Sequence, residues 1–133
     1  MTESCETVLV RASEDVVKVR QIVRVRSAAL GFSLVDQTKI VTAASEIARN
    51  TLAHGGGGEM TMYVLQSGSR KGLKLVFLDQ GPGIADIELA MRDGYSTGGG
   101  LGLGLPGSKR LCSEFEVQSR LGDGTRVTLV RWK

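Results

Sequence analysis

The chain has 133 residues, 41% hydrophobic and 23% charged with both signs mixed, which suits one domain with one sizeable core and excludes a disordered chain. The formal charge of +3 is scattered and aromatics are only 5%, so the basic patch with stacking platforms of a nucleic-acid binder is missing and no nucleic-acid partner is expected. No apolar run approaches the ~20 residues of a membrane helix, no basic region leads into an apolar one at the N-terminus, and Cys5 and Cys112 lack metal spacing, so the expectation is a reduced, cytoplasmic protein away from membranes.

Residues 6–11, "ETVLVR", read as a first strand. Ser13 offers an N-cap, with Glu14 and Asp15 in the first turn, and Val16, Val19, Ile22, Val23, Ser27 and Leu30 follow at helical spacing up to Gly31. The exposed side of that helix carries Arg20, Arg24 and Arg26, read either as a solvated face or as a contact for an acidic partner. "SLVD", Ser33 to Asp36, is a capping-box pattern with Asp in place of Glu or Gln. It opens a second helix with Val41, Ala44, Ala48 and Leu52 on one stripe, ending at the glycines 55–58.

Residues 59–66 and 73–79 read as a hairpin separated by Gly68 to Gly72. Residues 85–94 fit a short helix, "YSTGGGLGLG" a loop, and "LPGSKRLC" the start of another helix. Residues 114–121 and 125–132 alternate around Gly122 to Gly124 as a final hairpin. The order β-α-α-β-β-α-loop-α-β-β predicts an α/β chain, an α+β two-layer sandwich whose mostly antiparallel, mixed sheet carries its helices on one face. No repeat or linker divides it, so residues 1–133 are expected to form one domain.

Glycine is the compositional outlier: nine of the 18 fall between Gly81 and Gly107. Gly102 to Gly107 matches G-x-G-x-x-G, yet no strand precedes it and no parallel crossover follows. Gly102 to Lys109 comes within one swap of a P-loop, but Ser108 and Lys109 stand in reverse order. A flexible linker has no use for Leu101, Leu103 and Leu105 alternating with Gly100, Gly102 and Gly104. The alternation suits a loop anchored by leucines that bares backbone N–H groups to an anion. "DQGPGI" puts Asp79 at a strand end beside Gly81 and Gly83; a plain turn is the competing reading. "EIARN" sets Glu46 and Asn50 at i, i+4 on one helix face, which a solvated face would also explain.

Together and in this order, these stretches resemble the GHKL ATP-binding superfamily: "EIARN" its N box, "DQGPGI" its D-x-G-x-G box, "GGGLGLGL" its second glycine box, and Gly124-Thr125 its late G-T. The resemblance implies a Bergerat-type fold that binds ATP and Mg²⁺. Asp79 would accept the adenine amino group, with Thr125 sharing a water there; Gly81, Gly83 and Ile84 would let the backbone approach the nucleotide. Asn50 would hold Mg²⁺. Residues 85–99 would form a mobile lid with Ser96 and Thr97 near its hinge, Gly100, Gly102 and Gly104 would wrap the phosphates, and Gly98, Gly99, Leu101 and Leu103 would belong to the same nucleotide-binding stretch. Glu46 would be the catalytic carboxylate. Arg49 lies near the same site, and His54, four residues after Asn50, offers either a third polar contact or a solvated helix end.

Without a following lysine-bearing domain or a phospho-accepting histidine domain, the chain is most similar to anti-sigma-type serine/threonine kinases, especially the switch kinases of stressosomes. That resemblance implies phosphorylation of a STAS-domain partner, activation of a downstream phosphatase or other output protein, and a homodimer among the possible assemblies. Two alternatives stay open: an anti-sigma factor that sequesters a sigma factor in a nucleotide-dependent way, and a degenerate domain that only binds nucleotide.

Overall fold

The computed structural model describes residues 2–81, 104–120 and 122–133. Five strands form one sheet in the order β1-β2-β3-β5-β4: β1 is Thr2–Val10, β2 Gly58–Ser67, β3 Arg70–Asp79, β4 Glu114–Arg120 and β5 Gly124–Trp132. Every described pairing is antiparallel, so the mixed sheet of the sequence reading is, over these residues, antiparallel throughout. Helices α1 (Ser13–Ala29), α2 (Leu34–Ala53) and α3 (Gly104–Arg110) complete the described elements.

Strand alternation dictates which sheet face is buried. Val8 and Val10 of β1, Met60 and Met62 of β2, Leu73, Leu75 and Phe77 of β3, and Val127 and Leu129 of β5 all enter one hydrophobic core. Val16, Val19 and Val23 of α1 and Ile40, Val41, Ala44, Ile47 and Ala48 of α2 fill its other side. This is the two-layer arrangement expected from the sequence, with both predicted helical stripes pointing inward. Ala43, Ala44 and Ala48 are fully buried, and their small side chains let α2 sit close beneath its neighbours.

Four boundaries differ from expectation, each for a local physical reason. β1 begins at Thr2 rather than Glu6, because its polar start pairs with β2 across a register shift between Ser4 and Glu6. α1 is capped by a carboxylate, not by Ser13: Asp15 Oδ2 accepts the backbone N–H of Arg11 at 2.9 Å and of Ala12 at 3.0 Å. α2 uses half of the predicted box. Ser33 Oγ accepts the Asp36 N–H at 3.1 Å, while the Asp36 carboxylate lies 2.7 Å from Arg131 Nη2. The β2–β3 turn is only Gly68-Ser69, since Ser67 pairs with Arg70, and Gly72 sits inside β3. There a β-carbon would stand 2.7 Å from the Trp132 indole, so the missing side chain makes room for the ring.

Residues 85–94, expected as a short helix, and the loop 95–103 lie outside the described residues. The helix predicted after them is present and already begins at Gly104, with Pro106 in its first turn. No helix among the described residues is long and apolar enough to cross a membrane.

Candidate functional site

The site is assembled where the C-terminal end of α2 meets the C-terminal end of β3. Glu46 and Asn50 stand on one ridge of α2, about 6 Å apart along the axis at helical rise. Glu46 is 7% exposed and Asn50 partly buried. A carboxylate so placed is uncommon on a merely solvated helix face. Arg49 flanks it: its Nη1 is 3.6 Å from Glu46 Oε2, and its Nη2 donates to Ser45 Oγ at 3.2 Å. His54, the next residue along the ridge, is the exposed C-cap of α2, donating its backbone N–H to the Asn50 carbonyl. Its side chain therefore sits at the solvated helix end.

Asp79 is the last residue of β3 and its side chain is on the helix-covered face, 9% exposed. Its Oδ1 accepts the Gly81 N–H at 2.9 Å, closing a tight turn that leads the chain off the sheet. Across the sheet, Asp79 pairs with Gly58 on one side and Thr125 on the other. Thr125 Oγ1 is 2.8 Å from Ser119 Oγ, its neighbour on β4. The row Gly58-Asp79-Thr125-Ser119 thus presents a carboxylate and two hydroxyls at one edge of the sheet, opposite the end of α2.

Gly55 joins the two halves. A β-carbon there would lie 2.6 Å from Asp79 Oδ2, and one at Gly81 would lie 2.6 Å from the Gly55 Cα. The turn after α2 is held by the Gly55 and Gly57 N–H groups on the Thr51 carbonyl, at 3.1 and 3.0 Å. The backbone therefore closes over the Asp79 carboxylate, and only glycine fits this approach.

Of the positions the sequence singled out, Asp79, Gly81 and Thr125 are brought together at the end of β3, and Glu46 and Asn50 lie on the C-terminal half of α2, the helix that leads to Gly55. Gly104 is placed at the first position of α3. Gly83, Ile84, Ser96, Thr97, Gly98, Gly99, Gly100, Leu101, Gly102 and Leu103 lie outside the described residues. Sequence reasoning passed over Gly55, Gly58, Ser45 and Ser119. The glycine run after the Glu46–Asn50 helix was the available signal for the first two.

Among the described residues no group of three His, Cys, Asp or Glu side chains could hold a metal ion. A hard cation that keeps most of its waters needs only one or two protein oxygens plus those of a phosphate, and the Asn50 amide oxygen beside Glu46 fits that case.

A match to the family model of histidine kinase-, DNA gyrase B- and HSP90-like ATPases spans residues 35–133, from the first turn of α2 to the end of β5. The chain belongs to this ATPase family. Within these ATPases, it is 45% identical over 130 residues to the serine/threonine-protein kinase RsbT of Bacillus subtilis, covering 98% of this chain and 96% of that one. It is 30% identical over 119 residues to the anti-sigma F factor of Thermoanaerobacter sp. strain X514, covering 85% and 82%. Among solved structures, the RsbU and RsbW domains of Rv1364c from Mycobacterium tuberculosis superpose with a TM-score of 0.64 at 20% identity, over all of this chain and 33% of that one. The mycobacterial sensor histidine kinase MprB superposes with a TM-score of 0.57 at 22% identity, over 96% of each chain. At such identities these two structures speak for the fold, and the family membership for ATP as the ligand.

Proposed function

We propose that this protein is an ATP-dependent serine/threonine protein kinase of a partner-switching module. The observation that carries the proposal is the buried Glu46 on the Asn50 ridge of α2, in a chain 45% identical over nearly its whole length to a serine/threonine-protein kinase. The protein acts as a single kinase domain over residues 1–133 in the cytoplasm. Its substrate is a Ser or Thr of a STAS-domain protein, and its release from that partner activates a downstream phosphatase or other output protein.

Asp79 Oδ2 accepts the adenine amino group while Oδ1 stays on the Gly81 N–H. A carboxylate at this point favours a base that presents a donor, hence adenine over guanine. Thr125, tied to Ser119, holds the water shared with that contact. Asn50 is the protein ligand for Mg²⁺, which when bound neutralises phosphate charge. Gly81, Gly83 and Ile84 line the nucleotide approach, Ser96 to Leu103 belong to the nucleotide-binding stretch, and within it and at its end Gly100, Gly102 and Gly104 bind the phosphates. Glu46 orients the acceptor hydroxyl and takes its proton as the oxygen bonds to the γ-phosphorus and ADP leaves. Such transfer depends mostly on positioning and charge neutralisation, so a weak but buried carboxylate suffices.

Incubation with Mg-ATP and a STAS-domain partner should label that partner. Label that persists undiminished in Glu46→Ala and Asn50→Ala would overturn the assignment. The 30% identity to an anti-sigma F factor supports a second reading, a nucleotide-dependent anti-sigma factor with sequestration as its main task. Direct, ATP-dependent capture of a sigma factor, without transfer to any STAS protein, would favour it.

A further inference from the structure

We propose that Arg49 is a positioning residue for Glu46, a role that rests on the kinase reading above. The i, i+3 pair alone would not carry this. Exposed helix pairs contribute little, and the Arg49 side chain is 53% exposed. What distinguishes it is the second anchor. Nη2 donates to Ser45 Oγ at 3.2 Å, and Ser45 is 5% exposed, held in the packed body of α2. Nη1, on the same rigid plane, stands 3.6 Å from Glu46 Oε2. One guanidinium therefore spans the Glu46 carboxylate and a fixed hydroxyl.

The asymmetry of exposure supports the same role. The Glu46 side chain is 10% exposed and that of Arg49 53% exposed, so Arg49 is the solvent-facing member of the pair. Helical side chains lean toward the N-terminus, which lays Arg49 back over the Ser45–Glu46 turn and away from Asn50. A guanidinium never gives up its proton, so it can steady a proton-accepting carboxylate without competing for the proton. Lysine carries the charge but not the planar fork that reaches both partners.

Three measurements test this. In transfer assays, Arg49→Met should lower kcat about ten- to a hundredfold with the KM for ATP and the melting temperature unchanged, as expected when a reacting group is misplaced by an ångström. Arg49→Lys should recover part of that loss. In a Glu46→Ala background, Arg49→Met should have no further effect. Independently of activity, the Arg49 guanidinium in ¹⁵N NMR should show hindered rotation that is released in Ser45→Ala and Glu46→Gln. A kcat unchanged in Arg49→Met, an additive loss in the Glu46→Ala background, or a guanidinium rotating as freely as that of exposed Arg20 overturns the proposal. A wild-type protein that transfers no phosphate overturns the kinase reading instead, and the NMR result then decides whether Arg49 holds Glu46.

Discussion

Gly55 lies directly over the Asp79 carboxylate: a β-carbon on Gly55 would stand 2.6 Å from Oδ2. The end of α2 and the end of β3 are thereby locked in a relative position that serves the carboxylate. Gly55→Ala should push the Asp79 side chain from its rotamer or lift the turn at residues 55–57. Overpacking of this kind costs about 1–3 kcal/mol, and the fold has the rest of its core to draw on. The expected result is a protein that still melts cooperatively, at a lower temperature, but has lost most of its affinity for ATP in calorimetric titration. Undiminished ATP affinity in Gly55→Ala would detach the Gly55 contact from nucleotide recognition.

Asp79→Asn isolates the chemistry from the packing. The amide keeps an oxygen for the Gly81 N–H at the same 2.9 Å position, so the turn persists. What changes is the other atom, from an acceptor to a donor, which would face the adenine amino group donor-to-donor. An unmatched polar contact of that kind costs about 1–3 kcal/mol, roughly a five- to 150-fold loss of ATP affinity. Thermal stability without nucleotide should hardly move. Binding of ATP by Asp79→Asn as tight as by the natural protein would count against Asp79 as the adenine reader.

Much of this site could be read in the sequence because its signals are local. Glu46 and Asn50 are neighbours by helical spacing, and Asp79 closes an alternating strand before a glycine turn. The two stripes of α1 and α2 predicted the buried faces for the same reason. The parts that could not be read depend on where separate elements meet. Nothing local in the 55–58 run says that its first glycine covers Asp79. Gly72 reads locally as part of a turn, whereas Trp132 occupies the space above it within the strand. The spacing of Asp36 from Ser33 predicts a capping carboxylate, but Arg131, 95 positions away, claims it.

That Asp36–Arg131 pair makes stability depend on pH. Arg131 Nη2 donates to Asp36 Oδ1 at 2.7 Å, and this hydrogen bond, with the guanidinium charge behind it, holds the Asp36 carboxyl below its ordinary value of 3.8. A carboxyl depressed in the folded state adds stability that is fully present above the unfolded value. That stability is lost as pH falls past 3.8 and through the lower folded one. Asp36→Asn should therefore lower the melting temperature at pH 7, by an amount equivalent to about 1 kcal/mol for a partly exposed pair. The gap to the natural protein should close as pH is taken down through 3.8 and below. A gap of constant size over that range would mean that the carboxylate charge plays no part.

Arg131 also shapes the surroundings of Cys112. Its Nη1 donates to the Leu111 carbonyl at 2.9 Å, at the end of α3. The guanidinium favours a thiolate nearby, but burial disfavours it more strongly and pushes the Cys112 thiol up to about 12. Only the thiolate reacts readily with disulfide reagents or alkylating agents. In Cys5→Ser protein, Cys112 should stay unlabelled by Ellman's reagent at pH 8 on a timescale that consumes free cysteine. Labelling should become fast on unfolding in guanidinium chloride. Substituting Arg131 by Met removes the favourable charge and should slow the folded-state reaction further, provided that the variant is assayed well below its lowered melting temperature. Rapid labelling of the folded Cys5→Ser protein at pH 8 would contradict a thiol governed by burial.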